Sequence, residues 1–129
     1  MDEDLTKTID KALTSGDLMD TAEHNLRSWL DTDGLCSWAS GSIEQLIRAG
    51  EWREINDRFH NDLAFGTGGI RGRTIGRYLT DSERGRTKGK STPEYAAVGS
   101  NTLNDYTVVR ATMALHGHIS TWMASEGIL

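Results

Sequence analysis

The sequence has little of several features that mark particular classes of protein. It contains one cysteine, Cys36, so no internal disulfide can form, which favours a reducing compartment. No apolar run approaches the length of a membrane span, and the acidic start, residues 1–4, is opposite in charge to a secretory leader. These absences predict a cytoplasmic protein without a membrane segment.

The length and composition are those of one globular domain. The 129 residues are 36% hydrophobic and include four tryptophans, which is enough for one modest core. Because large aromatic side chains are usually buried, we expect the tryptophans to anchor that core and not to form a platform for sugars.

Charge is unevenly distributed along the chain. The net charge is −5, yet residues 71–90 carry seven Lys or Arg against Asp81 and Glu83, a net +5 that leaves −10 for the remainder. A basic segment on an acidic body predicts attraction to anionic ligands or nucleic acid. A charged loop that only faces solvent is an alternative of equal weight.

Residues 1–62 are predicted to be helical. A stripe of apolar residues predicts a helix over about 18–30, with Asp17 as its N-cap. Ser42 and Gln45 form a capping-box pattern for the start of the next helix, and Gly50 is a natural stop.

A third helical stripe follows Gly50. It consists of Trp52, Ile55, Phe59 and Leu63. Glu54 and Arg58 stand four residues apart in this stretch, and we expect them to form an ion pair on its outer face.

The pattern changes after residue 73. No apolar period survives over 73–100, where Gly, Ser, Thr, Arg and Lys dominate, and this predicts an extended, mobile loop. From Asn104, a good N-cap, a core helix is predicted with one face formed by Val108, Thr112, Leu115, Ile119 and Trp122. Gly127 can end this helix, and residues 128–129 look like the start of a strand.

One glycine-rich stretch carries most of the chemical information. Phe65-Gly66-Thr67-Gly68-Gly69-Ile70-Arg71-Gly72, called here the first block, places four glycines and a threonine around one arginine. Glycines let backbone N–H groups approach an anion, Thr67 adds a hydroxyl donor, and the fork of Arg71 matches phosphate oxygens. The block therefore predicts phosphate binding.

No metal site is predicted within this chain. His116 and His118 are two residues apart, so on a helix they point away from each other, and His24 and His60 are isolated.

The first block resembles the F-G-T-x-G-[LIM]-R-G signature of the phosphohexomutases, the phosphoglucomutase and phosphomannomutase superfamily. A second block, residues 98–112, is Val-Gly-Ser-Asn-Thr-Leu-Asn-Asp-Tyr-Thr-Val-Val-Arg-Ala-Thr. It is similar to the family's A-G-T-N-R-M-N-x-Y-T-V-x-x-A-[ST], although Thr102 and Leu103 replace the Arg-Met pair. Two ordered matches are more specific than one.

The resemblance implies an α/β fold, represented here by an incomplete first domain. Residues 1–62 would be a helical N-terminal extension and 63–129 the start of the mutase domain, with an inserted basic loop at about 77–97, so that the chain is mostly helical as it stands. By analogy with the family, Arg71 and Thr67 would contact the phosphate of a phosphoserine. Other binding residues would be Gly66, Gly68, Gly69 and Asn104.

The implied reaction is transfer of a phosphoryl group between O1 and O6 of a hexose phosphate, with Mg²⁺ and a hexose 1,6-bisphosphate intermediate. The family's Ser-His-Asn-Pro loop, which carries the catalytic serine, and its magnesium loop have no counterpart here. The resemblance therefore implies a segment that is inactive alone, from a fragment or a truncated gene. Its partners would be the parent enzyme's remaining domains and a phosphosugar whose identity, glucose, mannose or pentose phosphate, stays open.

Two other classes of function remain. The chain could be a binding module that uses the basic segment 71–90 for polyanions, although nucleic acid is not the expected partner. It could also be a non-catalytic interaction domain whose helical half forms the contact surface.

Overall fold

Helices account for most of the residues that the computed structural model describes, 2–64, 69–87 and 92–127. Within these ranges the helices are α1 (Glu3–Ser15), α2 (Asp20–Leu30), α3 (Ser37–Arg48), α4 (Trp52–Phe59), α5 (Asp81–Arg84) and α6 (Asp105–Ser125). The prediction of a mostly helical chain is confirmed. The described residues do not confirm the α/β layer that the resemblance implies.

The first four helices pack around one apolar core. Each contributes one face, as the amphipathic spacing requires. The fully buried members are Ile9, Ala22, Leu26, Ala39, Ile43, Leu46, Ile47, Ile55 and Phe59. Val98, far along the chain, is buried in the same cluster, so the second half of the chain completes the core.

Three of the four tryptophans behave as predicted. Trp29, Trp38 and Trp52 are partly buried and pack against the core. Trp29 meets Phe59 edge to face, with ring centroids 5.8 Å apart. Trp122 differs, because 53% of it is exposed on α6.

Two helix starts differ from the sequence prediction. The N-cap of α2 is Met19, not Asp17, and its backbone N–H donates to Asn56 Oδ1 of α4 at 2.9 Å. A tertiary contact thus replaces the expected local cap.

Helix α3 starts at Ser37, five residues before the predicted capping box. Ser42 and Gln45 instead contact α5, where Ser42 Oγ accepts from the Thr80 hydroxyl and Gln45 Oε1 accepts from the Asp81 N–H. Gly50, with φ +69°, follows the end of α3 as predicted.

The prediction for Glu54 and Arg58 is half right. They do form an ion pair, with Arg58 Nε 2.8 Å from Glu54 Oε1. However, Arg58 is completely buried and Glu54 is 4% exposed, so the pair does not lie on an outer face. Glu83 of α5 completes the group, which we call the Arg58 cluster, with Oε2 at 2.6 Å from Arg58 Nη1.

The segment 73–100 was predicted to be an extended loop, and its described part is more ordered than that. It contains α5, which begins with a complete capping box between Thr80 and Glu83. Both residues are buried, and α5 packs on α3. Hydrophobic periodicity does not predict this helix, because α5 is one turn long and its buried residues are polar.

Helix α6 confirms its predicted ends. Asn104 is the N-cap within a capping box with Thr107, and Gly127 follows the last turn with φ +72°. The prediction that one face of this helix lies in the core is wrong for the described structure. Its large apolar residues are each 44–53% exposed: Val108, Leu115, Ile119 and Trp122. The predicted strand at 128–129 lies outside the described residues.

None of the described helices combines the length and apolar character needed to cross a membrane.

The Arg58 cluster yields a stability prediction. Replacing Arg58 with Met would leave two buried carboxylates without their cation, so we expect Arg58→Met to lower the free energy of unfolding by about 3–5 kcal/mol. Glu83→Gln removes one charge but keeps a hydrogen-bond acceptor, and should cost less. Urea unfolding monitored by tryptophan fluorescence measures both.

The matched control is Arg48→Met. Arg48 also pairs with two acids, Glu44 and Asp2, but 49% of its side chain is exposed. We expect a loss of no more than about 1 kcal/mol. Equal losses at positions 48 and 58 would contradict the special role of the buried cluster.

Candidate phosphate site

The residues on either side of the first block, Leu63, Arg73 and Thr74, lie beside the second block and the residue before it. A parallel bridge joins Arg73 to Thr102, and the Leu103 N–H donates to the Arg73 carbonyl at 2.8 Å. On either side, the Leu63 N–H donates to Ser100 O and the Ala97 N–H to Thr74 O, both at 2.9 Å. Segments about 30 residues apart in sequence therefore form one local unit.

Glycine is required at two close approaches, one between the two blocks at Gly72 and one between the second block and α4 at Gly99. A Cβ at Gly72 would lie 3.1 Å from the Leu103 backbone nitrogen and a similar distance from Leu63. A Cβ at Gly99 would lie 2.5 Å from the Arg58 carbonyl oxygen. Side chains at these two positions would force the neighbouring backbone segments apart, so both glycines are needed for packing.

Only part of the first block falls within the described residues. Gly66, Thr67 and Gly68, three of the predicted site residues, lie outside them. Gly69 has φ +119°, a conformation that favours glycine. Arg71 is exposed, and no hydrogen bond or ion pair joins it to another described residue.

Most of the other described arginines of the basic segment have acidic partners. Arg73 Nη1 lies 3.5 Å from Glu54 Oε1, and Arg77 lies 3.8 Å from Asp57 Oδ2. Arg86 Nε contacts Glu94 Oε2 at 3.0 Å. Hydrogen bonds from Arg86 lower the pKa of the Glu94 carboxyl, so this acid stays ionised and offsets the arginine's charge.

Two arginines of the segment have no acidic partner among the described residues, and they differ in exposure. Arg84 is half-buried beside the 94–95 turn, and its Nε is buried without a hydrogen bond. Arg71 faces solvent. Of the arginines described in the segment, Arg71 is therefore the one whose fork is both accessible and unpaired.

Asn104, also predicted to bind substrate or phosphate, is 3% exposed and has several internal partners. Its Nδ2 donates to the carbonyls of Ala97 and Gly99 at 3.1 and 2.9 Å, and its Oδ1 accepts from the Thr107 N–H. These contacts indicate a structural role, because they fix the turn of the second block and the start of α6.

A cleft of about 130 Å³ separates the first block from α6. It is lined by Leu63, Ile70, Thr107, Arg110, Ala111 and Ala114. Arg110 forms an ion pair with Asp62 at 3.0 Å at the edge of this cleft. The cleft is mostly apolar, and Arg71 does not line it.

The residues that fix the segments around the site were not predicted from the sequence. Arg58 Nη2 donates to the Tyr78 carbonyl at 2.8 Å, and Glu83 Oε2 accepts from the Val98 N–H at 2.8 Å. The Arg58 carbonyl accepts from the Asn101 N–H. The signal in the sequence was the Glu54–Arg58 spacing, but spacing alone does not tell a buried pair from an exposed one.

Comparison of the chain with models of known protein families, with curated proteins and with solved structures finds no match. Within the described ranges, no group of three or more His, Cys, Asp or Glu side chains could hold a metal ion.

The placement of Asn104 can be tested by substitution. We expect Asn104→Ala to lower the free energy of unfolding by about 2–3 kcal/mol, because it removes a helix cap and leaves the Ala97 and Gly99 carbonyls to share the single hydroxyl proton of Thr102. Thermal unfolding by circular dichroism measures the loss. Asn101→Ala is the control, because Asn101 Nδ2 makes one bond, to Asp57 O. A neutral Asn104→Ala would contradict the structural role assigned to its amide.

Proposed function

We propose that this chain is the N-terminal segment of a cytoplasmic phosphohexomutase and that its first block binds a phosphate group. The parent reaction would move a phosphoryl group between O1 and O6 of a hexose phosphate, through a phosphoserine and a bisphosphorylated sugar. The segment alone would be inactive, because the serine and the magnesium ligands would belong to other parts of the parent.

The observation that carries this proposal is the pairing of the two blocks. They resemble one family in a fixed order, and the residues on either side of the first block, Leu63 and Arg73, bond to the second block at Ser100 and at Leu103. An accidental match of two unrelated loops would have no reason to produce adjacent segments. The contact supports one structural unit with a common task.

The state of Arg71 supports phosphate binding. The Arg71 guanidinium forms no hydrogen bond or ion pair with a described residue, and it extends from a segment whose backbone bonds to the second block two residues later, at Arg73. Such an arginine can offer two parallel N–H donors to phosphate oxygens without first breaking an ion pair. In the proposed enzyme it would orient the phosphorylated serine and stabilise its charge.

The resemblance also implies Mg²⁺, and the described residues do not fit it, since they contain no suitable cluster of ligands. No step is therefore assigned to a metal within this chain. The proposal includes the fold that the family resemblance implies, an α/β domain that begins at residue 63. The paired segments at Arg73 and Thr102 would be its first parallel contact.

A phosphate titration of this chain tests the site directly. We expect inorganic phosphate, in the millimolar range, to shift the backbone amide signals of Gly69, Ile70 and Arg71 in a ¹⁵N NMR spectrum. Arg71→Ala should abolish these shifts, because it removes the unpaired guanidinium. Arg86→Ala, which removes another exposed arginine that is already paired with Glu94, should leave them unchanged.

The same titration separates the polyanion-binding alternative. Shifts centred on residues 84–87 that survive in Arg71→Ala would favour a general basic surface and contradict the proposed site. The ion pairs of Arg73, Arg77 and Arg86 argue against that alternative, because much of the basic segment's charge is already offset.

The full-length gene product tests the reaction. We expect Arg71→Lys to lower kcat for conversion of glucose 1-phosphate to glucose 6-phosphate about 100-fold, because lysine cannot form the two-pronged contact. A coupled assay with Mg²⁺ and glucose 1,6-bisphosphate measures the rate, and Arg86→Lys is the control. Unchanged turnover in Arg71→Lys would refute the role assigned to Arg71.

A further inference from the structure

The connection between α2 and α3 contains an Asp-Gly pair, Asp33-Gly34. Of the eleven aspartates in the sequence, Asp33 alone precedes a glycine. In such a pair the aspartate side chain can reach the backbone nitrogen of the next residue with little hindrance, because glycine has no Cβ and its backbone rotates freely. The sequence therefore singles out one aspartate for a reaction between its carboxyl group and the neighbouring amide.

Both reacting groups are accessible and unpartnered in the described structure. Asp33 and Gly34 are exposed. The Asp33 carboxylate forms no hydrogen bond or ion pair with a described residue, and the Gly34 N–H donates to none. Gly34 has φ +79°, and a Cβ built on it would meet no atom within 4 Å. No bond among the described residues has to break before the carboxyl group and the nitrogen meet.

Other aspartates in connecting segments are followed by a restrained nitrogen. The nitrogen after Asp31 belongs to Thr32, which is β-branched, and it donates to the Trp29 carbonyl at 3.1 Å. The nitrogens after Asp17 and Asp62 also donate to backbone carbonyls, at 3.2 and 2.9 Å. The Asp-Gly pair thus differs from these three in the fold as well as in the sequence.

We propose that Asp33 isomerises to isoaspartate in the folded protein. The Gly34 nitrogen attacks Cγ of the Asp33 carboxylic acid. A C–N bond forms, the C–O bond breaks, and the hydroxyl leaves as water with the amide proton. Water then adds to the main-chain carbonyl carbon of Asp33 in the resulting cyclic imide and breaks its bond to nitrogen. The chain now runs through Cγ, and because water is lost and regained, mass and redox state are unchanged.

The product has a longer α2–α3 connection and a free α-carboxylate on its surface. The next residues are attached to the fold, since Leu35 packs against the core and the Cys36 N–H donates to the Tyr106 hydroxyl at 2.9 Å. No hydrogen bond or ion pair of the described structure involves residues 33 and 34, so we expect the isomerised chain to stay folded. The exposed α-carboxylate is a group that an isoaspartyl O-methyltransferase can esterify.

Ageing of the folded chain at physiological temperature tests the proposal, independently of the proposed function. Trypsin releases peptide 28–48, which contains both Asp31 and Asp33. Isoaspartate peptides separate chromatographically at equal mass, and electron-transfer fragmentation identifies the altered residue. We expect isoaspartate at Asp33 and not at Asp31, forming within about threefold of its rate in the isolated peptide, because the connection imposes no restraint. Circular dichroism checks that the aged chain remains folded.

Three variants separate the chemistry from the fold. Asp33→Glu should abolish the reaction, because a larger ring would have to form, and Gly34→Ala should slow it about ten-fold by crowding the nitrogen. Thr32→Gly creates a second Asp-Gly pair whose nitrogen keeps its bond to the Trp29 carbonyl, so that pair should react at least about fivefold more slowly than Asp33.

The proposal has three clear ways to fail. Folded protein in which Asp33 stays unchanged while the isolated peptide converts would overturn it. So would isoaspartate that forms equally at Asp31 in the wild type. Equal rates at the two pairs of Thr32→Gly would also overturn it, because the freedom of the Gly34 nitrogen would then make no difference.

Discussion

The second half of this protein depends on one buried guanidinium. Arg58 forms ion pairs with Glu54 of α4 and Glu83 of α5, and it donates a hydrogen bond to the Tyr78 carbonyl. It therefore connects the helical half to α5 and to the segment before it. Burying three charged groups is costly, and the cost is offset only when every donor has a partner. The bonds of Arg58 therefore help to fix the positions of α5 and of the 97–101 turn, together with the burial of Val98 in the apolar core.

This arrangement explains why the first block can leave an arginine unused. Glu54 and Glu83 are satisfied by Arg58, with Arg73 at the rim, and Asp57 is shared by Arg73 and Arg77. No ion pair joins Arg71 to a described acid, and the acids nearest this segment, Glu54 and Asp57, already pair with other arginines. Because these carboxylates pair with other arginines, the guanidinium of Arg71 remains available to bind an anionic ligand.

The sequence predicted the helical character and several helix ends, because caps and glycine stops act locally. Asn104 and Gly127 behave as predicted for this reason. It could not predict that Met19 would be capped by Asn56, or that Ser42 would accept a bond from Thr80, since those partners are distant along the chain. The burial of Arg58 was missed on the same ground, because an i,i+4 pair has the same spacing on either face of a helix. For the candidate site, the pattern identified Arg71 and the glycines, but it could not separate the structural Asn104 from a ligand contact.

Helix α6 shows what apolar periodicity does and does not establish. The pattern marked Val108, Leu115 and Ile119 as residues that favour burial, and the described structure leaves them exposed. Periodicity identifies the apolar face of a helix, but it does not identify the surface that packs against that face. A charge-free stretch beyond Ala111 cannot be explained by the contacts within the described chain. Covering this face would therefore release free energy that no contact among the described residues uses.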